Sequence, residues 1–144
     1  CTPRQVHNYR RRLSGPLLDR IDIHVDVPPL EYRELAAARP GEPSAAVRAR
    51  VVAARRIQIE RFAGDGVYAN AQMPRRQVRA HCALDDDGRL LLRQAMETLG
   101  LSARAYDKIL KVARTIADLE ASDRILPQHV SEAINYRTLD RRLE

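Results

Sequence analysis

The chain has 144 residues, of which 44% are hydrophobic and 31% charged, a composition that suits one compact core with short extensions. No apolar run approaches the roughly 20 residues of a membrane helix, and the first residues lack a secretory pattern, so we expect a cytoplasmic protein with no membrane partner. The net charge of +6 and the pI near 9.9 permit nucleic acid as a partner, although 23 of the 25 basic residues are arginine, which a GC-rich genome alone would produce.

The first predicted elements are a helix, a turn and a strand. Residues 2–5 (Thr-Pro-Arg-Gln) form a capping box with proline at the first helical position, which predicts a helix over residues 3–13. The Ser-Gly-Pro sequence at 14–16 ends that helix, and over residues 21–27 apolar residues alternate with polar ones, as in a strand. Arg20 therefore stands at the entrance of the strand.

A proline-rich stretch divides the chain. Pro28 and Pro29 end the predicted strand, because proline cannot donate a hydrogen bond to a neighbouring strand. Residues 30–43 are typical of an exposed linker with a short helical turn near its start. The predicted parts are therefore residues 1–29, the helical domain 44–137 and a frayed tail, 138–144. Because a strand without its sheet has unpaired backbone groups, we expect the first 38 residues to be poorly ordered or to pack against the helical domain.

The helix predicted over residues 45–63, with Ser44 as its cap, has an interrupted apolar face. Phe62 shares this face with the polar Gln58, and Arg55 lies close beside them. We expect the head of Arg55 to be in solvent and Gln58 to bond to a neighbouring loop. Contact of this helix with a nucleotide-binding half or another subunit is the alternative.

Positive charge is concentrated in the middle of the chain. Residues 45–81 contain eight arginines against two acidic residues, whereas residues 82–144 carry ten basic and eleven acidic groups. Such a patch steers polyanions without specifying DNA, and a solvated arginine-rich helix face explains it equally well. The arginines of this possible nucleic-acid patch are Arg48, Arg55, Arg56, Arg75, Arg76 and Arg79.

Four more helices are predicted downstream. Three acids at 85–87 complement the positive end of a helix dipole, which is a commoner role for such a trio than metal binding. Gly100 ends that helix, and Ser102 caps the next, which has the clearest amphipathic pattern in the chain. The four helices are predicted near residues 74–84, 85–99, 103–120 and 127–136.

The helix over residues 103–120 also has a polar face. Arg104, Lys108, Lys111 and Thr115 follow one another at spacings of three and four. Exposed ion pairs with Asp107, Arg114 and Asp118 are expected beside this stripe, and such pairs stabilise a helix only weakly. From the residues alone, an ordinary solvated face is the favoured interpretation.

Metal binding and histidine catalysis are not predicted. Cys1 and Cys82 provide no Cys-x-x-Cys spacing, whereas a structural zinc needs four ligands. Cys82 lies among apolar neighbours, which favours a buried, reduced thiol. His24 and His129 lack a nucleophile, an acid partner or a second ligand at a diagnostic spacing, so all four histidines are expected to be structural or exposed.

Two strings of residues carry a resemblance to a known family. They are Ser-Gly-Pro-Leu-Leu-Asp-Arg-Ile-Asp at 14–22 and Ala-Arg-Thr-Ile-Ala-Asp-Leu at 113–119. With them, the chain resembles the C-terminal part of the bacterial magnesium-chelatase-like AAA+ ATPases, in the ComM competence-protein branch, from residue 1 to residue 137. The resemblance implies a mostly α fold: a helical lid bundle preceded by the last helix and strand of the ATPase core.

The resemblance also implies roles for two arginines. In this family an arginine near the start of the lid helix contacts the γ-phosphate of the nucleotide in the same subunit, and Arg104 matches it. Arg20 matches the arginine that a ring ATPase presents to its neighbour's nucleotide. For the full-length protein the resemblance thereby implies ATP and Mg²⁺ as cofactors, the protein's own AAA+ core as a partner, and a homo-oligomer, a hexamer. The sequence lacks a Gly-x-x-x-x-Gly-Lys-Ser/Thr loop, so we interpret it as a fragment that is not catalytic alone.

Three functions remain open at this stage. The ComM branch implies a motor that drives DNA branch migration in natural transformation. A motor subunit of a tetrapyrrole metal chelatase is the second, and a stand-alone helical DNA-binding or adaptor module, in which residues 102–137 mimic a helix-turn-helix, is the third. The mid-chain arginines do not discriminate between them, because each function could use a basic surface.

Overall fold

The regular secondary structure of this chain is helical. The computed structural model describes residues 2–10, 15–32, 36 and 40–137. Cys1, the predicted helical residues 11–13, much of the linker (33–35 and 37–39) and the tail 138–144 lie outside them. The helices are α1 (Pro3–Arg10), α2 (Gly15–Leu18), α3 (Ser44–Arg61), α4 (Arg75–His81), α5 (Asp86–Leu99), α6 (Ala103–Leu119) and α7 (Pro127–Asn135), with a 3-10 turn at Asn70–Gln72. The mostly α prediction is confirmed.

The expected strand over residues 21–27 is not formed. This segment has neither helical nor strand hydrogen bonding, and in the described part of the chain the β pairing is a single parallel bridge between Leu84 and Ile125. Its apolar side chains are largely exposed, up to 81% for Val27. The physical reason is that no strand lies beside it to pair its backbone groups, so alternation alone does not produce a ladder.

The core is built around α6. This helix packs against α3, α4, α7 and the 3-10 turn, and α5 packs against α7. α6 can serve as the centre because small and branched apolar residues recur on several of its sides, so that these four neighbours approach it closely. The buried core residues are Phe62, Met73, Val78, Cys82, Leu84, Leu92, Ile109, Leu110, Ala113, Ile116, Ala117, Ile125, Val130 and Ala133.

Local capping sets several helix ends as the sequence predicts. The Asp85 side chain accepts a hydrogen bond from the Gly88 amide at 2.8 Å, and Ser102 Oγ accepts one from the Ala105 amide at 3.1 Å. Gly100 ends α5 in the left-handed conformation with φ of 61°. The prediction for Ser44 is wrong, because Ser44 is the first helical residue of α3 and makes no side-chain cap there.

α3 is buried only towards its C-terminal end. Gln58 and Phe62 are buried, and Gln58 Oε1 accepts a hydrogen bond from the Asn70 amide at 3.1 Å. Arg55 is exposed. The expectation for Gln58 is therefore confirmed, and the polar interruption is explained by the loop amide that Gln58 binds. The head of Arg55 is not in solvent alone, because its Nη1 also donates to Gln58 Oε1 at 3.5 Å.

The ion pair expected at the exposed side of α6 is buried instead. Arg114 and Asp118 are each 2% exposed, and Arg114 Nε donates to Asp118 Oδ1 at 3.1 Å. Arg61 from α3 also donates to Asp118. The helical wheel cannot anticipate this burial, because α3 and the 3-10 turn cover that side of α6 only in the folded chain.

His24 and His129 are buried, and the expectation that His129 lacks an acid partner is wrong. The His129 ring is fully buried, and its Nε2 lies 2.8 Å from Glu120 Oε2. Nδ1 accepts a hydrogen bond from the Leu126 amide at 3.0 Å, so Nε2 carries the proton and donates to Glu120. This ring joins the end of α6 to the start of α7.

Candidate functional site

A cavity of about 580 Å³, lined by basic and acidic side chains in equal number, lies between residues 19–23, α6 and the end of α7. Four basic side chains line it: Arg20 from the turn after α2, and Arg104, Lys108 and Lys111 from α6. The three α6 residues share one side of the helix because they are spaced by four and three. The cavity therefore unites the predicted polar stripe of α6 with Arg20.

Arg20 and Arg104 are the two residues that the sequence singles out, and both are exposed. Neither guanidinium forms a hydrogen bond or ion pair within the part of the chain that the structure describes. A guanidinium keeps its charge at any pH near neutral and offers donors in a fixed plane. Both side chains are thus available to an anion in the cavity.

The turn that carries Arg20 is fastened to the helical bundle. Lys108 Nζ donates to the Arg20 carbonyl oxygen at 3.0 Å and forms an ion pair with the Asp22 carboxylate. The buried Arg137 donates to the Ile21 carbonyl, and the His24 amide donates to the Tyr136 carbonyl at 2.8 Å. Of the two alternatives stated for the first part of the chain, packing against the helical domain is the one observed for these residues.

Acidic and apolar groups complete the walls. The acids are Asp19, Asp22, Asp107 and Glu132; Asp22 is paired with Lys108, and Glu132 accepts a hydrogen bond from the Tyr136 hydroxyl at 3.1 Å. This hydrogen bond and the Glu132 charge raise the pKa of Tyr136. The apolar wall consists of Ile23, Val112, Ile116 and Leu119. A ligand with a charged end and a flat apolar part suits such walls.

A metal centre is not formed by these acids. Among the described residues, no three His, Cys, Asp or Glu side chains come close enough together to hold a metal ion. The acidic residues at 85–87 have separate roles instead: Asp85 caps α5, and Asp86 pairs with Arg89.

None of the helices in the described ranges is long and apolar enough to cross a membrane.

The six arginines of the expected patch do not share one cavity. Arg48, Arg55 and Arg56 lie on α3, and Arg75, Arg76 and Arg79 lie on α4, all six being exposed. Arg75 and Arg79 line a second cavity of about 330 Å³, which the other four do not. The structure therefore separates two of these arginines from the rest.

The family to which this arrangement belongs is shown by two matches. Residues 41–137 match the family described as magnesium chelatase, subunit ChlI C-terminal, and residues 1–35 match magnesium chelatase, subunit ChlI. The chain belongs to the magnesium chelatase ChlI family. The helical bundle that contains α3 to α7 is its C-terminal domain, which confirms the resemblance inferred from the sequence.

Named relatives place this magnesium chelatase ChlI-family chain near ComM. The competence protein ComM of Haemophilus influenzae is 42% identical over 144 residues, which cover 99% of this chain and 28% of that protein. A protein of Escherichia coli, YifB, is 43% identical with the same coverage. The chain thus spans somewhat over a quarter of the length of these curated relatives.

One feature of this ChlI-family site could not be found in the sequence. The hydrogen bond from Lys108 to the Arg20 carbonyl joins residues 88 positions apart. The spacing of Arg104, Lys108 and Lys111 shows that they share a side of a helix, yet it contains no signal for what lies opposite. Only the fold brings Arg20 to the helix that carries Arg104.

Proposed function

We propose that this chain is the lid region of a ComM-like AAA+ ATPase, in which Arg104 contacts the γ-phosphate of ATP held by the same subunit. Arg20 acts across the subunit boundary on the neighbour's nucleotide. In the intact hexameric ring, hydrolysis drives branch migration of DNA during natural transformation, in the cytoplasm.

The observation that supports it best is that the guanidiniums of Arg104 and Arg20 are both exposed and form no hydrogen bond or ion pair within the described residues. Phosphoryl transfer spreads negative charge over the γ-phosphate oxygens, and fixed positive donors stabilise that charge. Lys108 and Lys111 add positive potential beside Arg104, although the structure gives each a contact of its own: Lys108 with the Arg20 turn and Lys111 with the Ala71 carbonyl at 3.1 Å. This leaves the two arginines as the side chains that are free to bind phosphate.

The side chains of this chain supply only part of what ATP binding needs. Arg104 and Arg20 supply charge for phosphate oxygens, while the phosphate loop and the acidic residues that hold Mg²⁺ belong, in this proposal, to the AAA+ core of the same protein. ATP bound there would supply the transferable phosphoryl group. The residues of this chain contact that group: Arg104 projects from the lid helix, and Arg20 from the turn that Lys108 binds to the same helix.

The test is steady-state ATP hydrolysis by the intact protein with Arg104→Ala and Arg20→Ala. We expect kcat to fall about 10³-fold for Arg20→Ala, in the range of an arginine finger, and at least about tenfold for Arg104→Ala. Arg93→Ala is the matched control, because Arg93 is an exposed arginine of α5 that does not line the cavity. Unchanged kcat in both cavity variants would refute the assignment.

Subunit mixing separates action in the same subunit from action in the neighbour. Rings assembled from Arg20→Ala subunits and subunits that cannot bind ATP should regain hydrolysis at some boundaries if Arg20 acts on the neighbour. The same mixing should not rescue Arg104→Ala. Rescue of both variants, or of neither, would contradict the division of roles.

The DNA step is tested with a branched substrate. ATP-dependent movement of a DNA branch by the intact protein supports the proposal, and ATP hydrolysis without movement of any branched substrate contradicts it. The tetrapyrrole alternative is supported less well, since the relatives at 42–43% identity include one with a competence name. Stimulation of hydrolysis by a porphyrin but not by DNA would favour that alternative.

A further inference from the structure

A second cavity, away from Arg20 and Arg104, lies where α4, the start of α5 and α6 meet. It has a volume of about 330 Å³. Three arginines surround it, the floor is apolar, and a tyrosine lies at its edge. We call it the Tyr106 groove, and it is lined by Arg75, Val78, Arg79, Cys82, Ala83, Leu84, Arg89, Tyr106, Asp107 and Leu110.

The charge of the groove is arranged for a chain of anions. Arg75 and Arg79 are four residues apart on α4 and so project from the same side of that helix. Neither forms a hydrogen bond or ion pair with any residue that the structure describes. Arg89 is held in place by the Leu84 carbonyl at 2.7 Å and by Asp86, and Asp107 is the one acid among the lining residues.

The edge of the groove carries an exposed aromatic ring. Tyr106 is 41% exposed although it lies on α6, whose other sides form the core. Its hydroxyl forms no hydrogen bond within the described residues, so the ring is not fixed there by a polar partner. An aromatic ring beside unpaired arginines is the arrangement on which unstacked bases lie in proteins that bind single strands.

The floor adds a dry, inert surface. Val78, Cys82 and Leu110 are each no more than 5% exposed. Burial raises the pKa of the Cys82 thiol to about 11, with nearby charges contributing less. The thiol is therefore neutral near pH 7 and offers packing surface instead of reactivity.

We propose that the Tyr106 groove binds single-stranded nucleic acid, with backbone phosphates on Arg75 and Arg79 and one base stacked on Tyr106. The assignment of that strand to DNA rests on the proposed function. An acidic protein segment would satisfy the arginines, but only a nucleic acid carries a flat ring beside every anionic group. Duplex DNA keeps its bases stacked inside, so it uses the arginines without the tyrosine.

The groove distinguishes between two neighbouring arginines of the mid-chain positive region. Arg76 lies next to Arg75 on the same helix, yet it does not line the groove. If positive charge alone attracted the strand, these two neighbours would contribute equally. If the groove binds it, Arg75 contributes and Arg76 does not.

The test is fluorescence anisotropy of a labelled oligothymidine with this 144-residue chain at two salt concentrations. Arg75→Ala and Arg79→Ala should each weaken binding about fivefold and reduce the salt slope by about 0.7, the value for one phosphate contact in a single strand. Tyr106→Ala should weaken binding about tenfold, whereas Tyr106→Phe, which keeps the ring, should bind within about twofold of the parent. Arg76→Ala is the matched control and should change affinity by less than about twofold.

Three outcomes would overturn the proposal. They are equal losses for Arg75→Ala and Arg76→Ala, full affinity in Tyr106→Ala, and duplex DNA or heparin that binds as tightly as the oligothymidine with the same dependence on the variants. Far-UV circular dichroism of each variant excludes unfolding as the cause of any loss. Should Tyr106→Ala fail to fold, the comparison of Arg75→Ala with Arg76→Ala still tests the groove.

The test distinguishes this proposal from the proposed function. The binding assay contains no ATP, and the hydrolysis assay reads out Arg104 and Arg20, which do not line the groove. Arg104→Ala should lower hydrolysis by the intact protein and leave oligothymidine binding by this chain unchanged. If Arg104→Ala loses hydrolysis but the parent chain does not bind oligothymidine, only the groove proposal is refuted. If the parent chain binds oligothymidine but the Arg104→Ala and Arg20→Ala proteins keep full hydrolysis, only the proposed ATPase role is refuted.

Discussion

Asp118 on α6 accepts hydrogen bonds from both Nη atoms of Arg61, at 2.5 and 2.8 Å, across 57 positions of the sequence. Asn70 Nδ2 donates to the same carboxylate at 2.7 Å, and Arg114 Nε at 3.1 Å. The Asp118 side chain is fully buried, and the Arg61 side chain is 14% exposed. One carboxylate therefore ties α3 and the 3-10 turn to the central helix.

The Asp118 network leads to a stability prediction. Asp118→Asn should lower the free energy of unfolding by about 3–5 kcal/mol, because the Arg61 and Arg114 guanidiniums would stay buried without their counter-charge. Urea denaturation of this chain measures the change. The matched control is Asp107→Asn on the same helix, which forms no hydrogen bond within the described residues and should change stability by less than about 0.5 kcal/mol. A loss below about 1 kcal/mol for Asp118→Asn would show that the network is not a stabilising unit.

The same carboxylate predicts how stability depends on acid. Burial by itself raises the pKa of Asp118, but the hydrogen bonds from Arg61 and Asn70 and the charges of Arg61 and Arg114 together outweigh it, and the pKa lies below its ordinary value of 3.8. A group whose pKa is lower in the folded than in the unfolded state stabilises fully above the unfolded value and loses this contribution as pH falls through the folded value. Unfolding free energy should therefore drop between about pH 5 and about pH 2, and the drop should be smaller in Asp118→Asn. Equal drops in both proteins would contradict the linkage.

Cys82 should be unreactive while the chain is folded. Burial raises its pKa to about 11, so at pH 8 only about one thiol in a thousand is the reactive thiolate, and the sulfur is also shielded from reagents. In a Cys1→Ser background, a disulfide reagent should label Cys82 slowly in buffer and rapidly in denaturant. Labelling at equal rates in both solvents would show that the floor of the Tyr106 groove is open.

Lys108 should hold the Arg20 turn without contributing much to global stability. Its side chain is 25% exposed and that of its partner Asp22 is 52% exposed, so Lys108→Ala should change the free energy of unfolding by less than about 1 kcal/mol. The turn itself should open more often, and hydrogen exchange at the His24 amide, which donates to the Tyr136 carbonyl, should become faster.

The control for the Lys108 prediction is Lys111→Ala. Lys111 lies on the same stripe but binds the Ala71 carbonyl instead of the Arg20 turn. His24 exchange should therefore stay at the parent rate in Lys111→Ala. Equal acceleration in the two variants would mean that the positive potential of the stripe, not the Lys108 contact, keeps the turn in place.

Local signals in the sequence were sufficient for the helices. The residues around Asp85, Gly100 and Ser102 place helix ends through groups that act within three or four positions, and the apolar spacing of α6 predicts its extent. The alternation over residues 21–27 was equally clear, but a strand needs a neighbour, and none lies beside it among the described residues. Periodicity reports which side of a segment is apolar and does not report its hydrogen-bonding partner.

The candidate sites divide in the same way. Arg20 could be selected from the sequence because it lies in a short string that resembles the family, and Arg104 because it stands near the start of the helix that carries the second string. Their common cavity required the contacts of Lys108 and Arg137 with residues 20–22. The Tyr106 groove had no sequence signal, since α4, α5 and α6 each contribute only part of it.

By itself the sequence determined which segments are helical, where they end and to which family the chain belongs, because caps, periodicity and short strings of residues act or are recognised locally. The tertiary structure alone decided that Arg114 and Asp118 are buried, that Arg20 and Arg104 line one cavity, and that Arg75 lines the Tyr106 groove while Arg76 does not. Those outcomes depend on which helix covers which side of α6. That choice is made by the packing of the whole core, in which residues far apart in the sequence become neighbours.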